Sequence, residues 1–194
     1  MTALVLYVLG CVLAFGLRSW AQWRSTGSTG YRGLSGPPRS LTWWGGILFP
    51  VGVVLGIAAP ILTLANVMAP PSAFAHPAFG IAGAVLAIAG LVVVLVAQST
   101  MGTSWRIGVD PGERTPLVTT GIFGKVRNPT FAGMVLMAAG VMAMVPTPVA
   151  LLGLACLAAA IEIQVRAVEE PYLERVHGSD YADYTRRAGR FIPR

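Results

Sequence analysis

Charge is scarce in this chain, and where it occurs it is confined. Only 11% of the 194 residues are Asp, Glu, Lys or Arg, against roughly a quarter in soluble domains. From Leu41 to Trp105 there is none. A soluble globular domain is excluded on that ground. Cysteine is equally sparse: Cys11 and Cys156 are the two present, both inside apolar runs and without metal-ligand spacing. Neither a disulfide framework nor a zinc site follows from them, and no metal is expected. The chain also lacks a Gly-rich strand-to-helix motif, which excludes a nucleotide site of the soluble Rossmann type. Met1 to Leu17 has no positive n-region and no small-residue cleavage site before Arg18, so this segment is expected to persist as a first helix.

What is present is apolar sequence: 55% hydrophobic residues and a mean hydropathy of +0.67. The net charge of +6 and pI near 10.0 come from basic residues strung between apolar segments. That pattern orients a protein in a bilayer and points to lipid headgroups, not nucleic acid, as the acidic neighbour.

A bilayer core of about 30 Å needs roughly 20 residues of apolar helix. Five segments approach that length, predicting an all-α polytopic bundle of about five transmembrane helices. They are Thr2 to Leu17, stopped by Arg18; Thr42 to Ala65; Ala78 to Ser99; Pro129 to Val145; and a fifth starting near Thr147. Pro129 suits a first helical turn, where its missing N–H would be unpaired anyway. Pro146, Thr147 and Pro148 force a tight hairpin. Ser25 to Ser40 and Thr100 to Asn128 are loops, the second with the turn signal Asp110, Pro111, Gly112. The fifth helix turns from apolar to charged after Ile161. Gly178 is a C-cap candidate, followed by a short helix with Tyr181 and Tyr184 on one side. Trp43, Trp44 and Trp105 are expected at interface levels, and His76 as a loop residue. Gly52 and Gly56 form a GxxxG pair suited to close helix packing, within the bundle or between subunits.

Every Lys and Arg falls between Arg18 and Arg39, between Arg106 and Arg127, or between Arg166 and Arg194. By the positive-inside rule, the N-terminus is outside and the C-terminal segment cytoplasmic. An odd number of spans is required, and five satisfies it. The chain divides into three helices in 1–99 and a more polar half in 100–194, within one membrane domain.

Two concentrations of residues could carry chemistry. Glu162, Arg166 and Glu169 recur at spacings of four and three, which puts them on one helical face near the inner boundary, with Glu170 to one side. Such a group is either a functional site or a structural ion pair. The stretch Thr115 to Gly133, TPLVTTGIFGKVRNPTFAG, combines Gly and Thr with Lys125, Arg127 and a helix start that favours an anionic group. It is either a ligand loop or simply a loop capped by a helix.

Leu117-Val-Thr-Thr-Gly-Ile-Phe-Gly-Lys-Val-Arg-Asn-Pro-Thr-Phe-Ala-Gly133 resembles the central signature of the isoprenylcysteine carboxyl methyltransferase family, LVTxGxYxxxRHPxYxG. Arg166-Ala-Val-Glu-Glu170, then Leu173, Gly178, Tyr181, Tyr184 and Arg190-Phe-Ile-Pro193, is similar to that family's second signature. The resemblance covers the chain from Trp105 onward. It implies a membrane methyltransferase that uses S-adenosylmethionine and takes a lipophilic or lipid-anchored substrate from the bilayer. Carried over residue by residue, it assigns cofactor contacts to Leu117, Val118, Phe123, Asn128, Pro129, Thr130, Phe131 and the acidic Glu169. Arg166 would face the substrate. Arg127 would meet the cofactor carboxylate, and Glu170 would serve as a support or base. This chain has Asn128 where the family has histidine, so no group titrates there near neutral pH. Phe123 and Phe131 replace tyrosines, keeping stacking surface but losing two hydroxyls.

Two other functions compete. A membrane reductase using NADPH would share the C-terminal architecture, but it calls for a denser basic cluster at a 2′-phosphate. A non-catalytic lipid-binding protein would use the charged face of the fifth helix but has no need of the 115–133 stretch.

Overall fold

The computed structural model describes residues 1–30, 36–74, 76–105 and 116–194. Among these the chain forms five long helices, three short 3-10 turns and no strand: the long helices are α1 (Thr2–Thr26), α2 (Leu41–Leu64), α3 (Pro77–Met101), α4 (Pro129–Met144) and α5 (Pro148–Arg187). Four are long and apolar enough to cross a membrane; α4, with 16 residues, is shorter. Proline lies inside α2 at Pro50 and Pro60 without ending the helix, as membrane helices tolerate when neighbours satisfy the freed backbone groups.

The bundle is built on small residues. Helices α3 and α4 run antiparallel, with Gly83 and Gly90 of one facing Gly140 and Gly133 of the other. A Cβ on Gly90 would fall 2.6 Å from the Gly133 carbonyl oxygen, and one on Gly133 would fall 2.7 Å from the Gly90 carbonyl oxygen. The backbones are therefore in direct contact, which is how helices associate where lipid removes the hydrophobic drive. Gly52 and Gly56 of α2 pack on Gly153 and Leu157 of α5 and on Tyr7 of α1. The GxxxG pair is used inside the bundle. Around this core, Val54, Ile81, Val85 and Leu151 are about 60% exposed, the outward apolar surface of a protein whose solvent is lipid.

Two expectations are corrected. Helix α1 does not stop at Arg18 but continues to Thr26 through a π turn at Val12–Leu17, ending where Gly27 takes φ +74. Arg18 is accommodated because its guanidinium donates to the Gly102 carbonyl and lies 5.0 Å over the Trp105 ring. Trp105 is accordingly buried. The second concerns the charged face of α5. One turn deeper, the buried Gln98 side chain of α3 donates to the Ala14 carbonyl of that π turn at 2.8 Å. His76 caps α3, its Nδ1 accepting from the Ala78 N–H. The Asp110-Pro111-Gly112 turn and the basic residues Arg32, Arg106 and Arg114 lie outside the described residues.

Candidate functional site

The charged end of the bundle is organised by α5. Its apolar part, Pro148–Ile163, passes into a second π turn at Gln164–Glu169 and then into Glu170–Arg187. Gly178, at φ +51, breaks the helix, so the last two turns fold back and bury Tyr181 and Tyr184. The chain then reaches the 117–131 loop. The Arg127 N–H donates to the Gly189 carbonyl at 2.8 Å, the Asn128 N–H to the Arg190 carbonyl at 3.1 Å, and the Gly189 N–H to the Lys125 carbonyl at 3.0 Å. The Asn128 side chain adds a bond to the Arg190 carbonyl, and the Tyr184 hydroxyl donates to the Phe123 carbonyl at 2.7 Å. Residues more than 60 positions apart are thus joined by backbone pairing.

Beneath this clasp lies an ion cluster. Arg190 meets Glu170 through two bonds of 2.9 Å, and Arg127 reaches the same carboxylate at 3.2 Å while lying 5.9 Å from the Tyr181 ring centroid. The Glu170 side chain is 17% exposed and that of Arg127 11%. The bond to Glu170 raises the Arg190 pKa above its ordinary value. Burial, with the Glu170 charge next in weight, pushes the Tyr181 hydroxyl up to about 12. Burial does the same for Tyr184, which stays protonated and able to donate at neutral pH. Two guanidiniums share one carboxylate at this point, with Glu169 and Glu162 near enough for their charges to act on Tyr181 and Arg190 respectively.

Helix α4 starts beside the cluster. Pro129 is fully buried at its first position, and the Asn128 side chain, engaged with Arg190, does not cap it. The Thr130 hydroxyl and the Arg127 Nε are buried without a hydrogen-bond partner among the described residues. Unpartnered donors beside a helix N-terminus and the Arg127 guanidinium form a place that fits an anionic group, such as an amino-acid carboxylate.

The structure therefore brings together Phe123, Arg127, Asn128, Pro129, Thr130 and Glu170. Leu117 joins them by packing with Leu173 against Tyr181, Tyr184 and Ala188. Phe131 is half-buried and turned to the main core, and Val118 is half-buried. The face expected for Glu162, Arg166 and Glu169 is divided. Arg166 pairs with Glu162 at an exposed position, whereas the π turn sets Glu169 against Gln164, whose Nε2 donates to it at 3.2 Å. Arg190 was not among the expected site residues. Its distance of 20 positions from Glu170 gives no local signal, and only its place in the closing Arg-Phe-Ile-Pro run pointed to it.

The sequence model of the phospholipid methyltransferase family matches residues 79–180, more than half of the chain. The match takes in α3, the loop, α4 and α5 as far as Asp180, and stops just before the tail that completes the clasp. No curated protein matches the chain.

Proposed function

The chain belongs to the phospholipid methyltransferase family, membrane methyltransferases related to the isoprenylcysteine carboxyl methyltransferases, and from that premise we propose that it transfers a methyl group from S-adenosylmethionine to a lipophilic or lipid-anchored acceptor at the cytoplasmic face. The observation that carries this reading is the convergence of an uncapped α4 N-terminus, the unpartnered Thr130 hydroxyl and Arg127 Nε, and the Glu170 cluster. Arg127 and the first amides of α4 hold the cofactor carboxylate. Thr130 gives it a hydrogen bond, Glu169 takes its polar groups, and Leu117, Phe123 and Pro129 cover its apolar parts. When bound, S-adenosylmethionine supplies an electrophilic methyl on a sulfonium.

What remains for the protein is positioning and exclusion of water. The clasp between 125–128 and 189–190 ties the loop to the tail beside the site, and the glycine packing of α3 against α4 holds the α4 N-terminus in place. Arg166, whose side chain is 57% exposed at the end of the apolar part of α5, meets the headgroup of the acceptor. Glu170, held by two arginines, supports the site and keeps Arg127 in place. The basic residues gathered at this one end support a cytoplasmic location for it by the positive-inside rule.

Calorimetric titration of the purified protein with S-adenosylhomocysteine tests the reading. Micromolar binding, lost in Glu169→Ala and kept in Arg166→Ala, is expected. No binding by folded wild type, or tighter binding of NADPH, overturns it.

A further inference from the structure

We infer that Gln164 is a positioning residue for the Glu169 carboxylate, and that the π turn at Gln164–Glu169 exists in this fold to bring the two side chains together. The inference rests on the reading of Glu169 as a cofactor contact given above. In a regular α-helix, residues five apart point about 140° away from each other around the axis. A π turn closes bonds from i to i+5, so such residues come to the same side. Gln164 and Glu169 are five apart, and their side chains meet at 3.2 Å, Nε2 donating to Oε1.

The turn is fixed from the inside. Val165 is fully buried and Ile161, one turn earlier, is 1% exposed, so the wider turn cannot slide along the helix without expelling one of them from the core. Downstream, Glu170 is tied to Arg127 and Arg190. Between these two anchors the extra residue of the π turn sets where Glu169 faces.

The chemistry of the partner also matters. An amide N–H donor holds a carboxylate oxygen in one orientation. The Gln164 bond therefore fixes where the Glu169 carboxylate faces, as a group able to accept from the ammonium or hydroxyl groups of an incoming nucleoside amino acid.

The test is titration of the full-length protein with S-adenosylhomocysteine, using Gln164→Leu, Gln164→Glu and each of them combined with Glu169→Gln. Loss of a hydrogen bond to a charged group predicts about tenfold weaker binding in Gln164→Leu. Gln164→Glu, which sets two carboxylates against each other, binds more weakly still. Neither melting temperature moves by more than a few degrees, and neither substitution weakens binding further once Glu169 is glutamine. Wild-type affinity in both single variants, or the same fold-loss with and without Glu169, overturns the inference while leaving the methyltransferase reading intact. Absence of binding by folded wild type overturns that reading and this inference with it.

Discussion

Replacing Arg190 by methionine should weaken cofactor binding more than it weakens the fold. The guanidinium makes two bonds of 2.9 Å to Glu170, whose side chain is 17% exposed, while its own is 31% exposed. An exposed pair contributes about 0–1 kcal/mol and a fully buried one, when broken, costs about 3–5 kcal/mol. This pair lies between, and Glu170 retains Arg127 at 3.2 Å, so about 2 kcal/mol is expected from the loss. Because Arg190 also carries the carbonyl that accepts from both Asn128 donors, the cost falls on the clasp. Freed from Arg190, Glu170 draws Arg127 fully to itself and away from an anion at the α4 N-terminus. If the whole 2 kcal/mol appears in binding, S-adenosylhomocysteine affinity falls about 30-fold. Calorimetry on the purified protein, with a thermal melt as control, measures both. Arg190→Lys should not restore affinity, since an ammonium cannot make the paired bonds. Affinity within twofold of wild type in Arg190→Met would refute the reasoning.

Three further outcomes are expected. Thr130→Val removes a buried hydroxyl that has no partner among the described residues; the ligand-free melting temperature should hold or rise, while cofactor affinity falls about tenfold, a split visible by calorimetry and melting together. Tyr184→Phe leaves the Phe123 carbonyl without its donor and should cost about 1 kcal/mol in denaturant titration. Gly90→Val sets a side chain against the Gly133 carbonyl and should destabilise by about 3 kcal/mol, measured by unfolding in mixed micelles, with Gly80→Ala, which meets open space, as a neutral control.

Much of the fold was legible because apolar length and proline placement act locally. Helices α2 to α4 begin and end within a residue or two of the expected positions, and Gly178 breaks the chain where a C-cap was expected. The end of α1 was not legible. Arg18 reads as a stop only if nothing receives it, and its partners Gly102 and Trp105 lie more than 80 residues away. The π turn was hidden for a related reason. Spacing rules assume 3.6 residues per turn, so Glu162, Arg166 and Glu169 fell on one face on paper, whereas the fold gives Glu169 to Gln164 and Glu170 to two arginines. The loop residues 117–131 were recognisable as a signature, but the pairing of 125–128 with 189–190 is a tertiary event that no local pattern encodes.

The most direct test of the central claim follows the methyl group itself. Purified protein in nanodiscs made from a native membrane lipid extract is incubated with S-adenosylmethionine labelled on the methyl carbon, and label is counted in the organic phase. The account predicts label in the lipid fraction, matched by S-adenosylhomocysteine release and absent with Glu169→Ala. Wild type that remains folded yet transfers no label and releases no S-adenosylhomocysteine would contradict it.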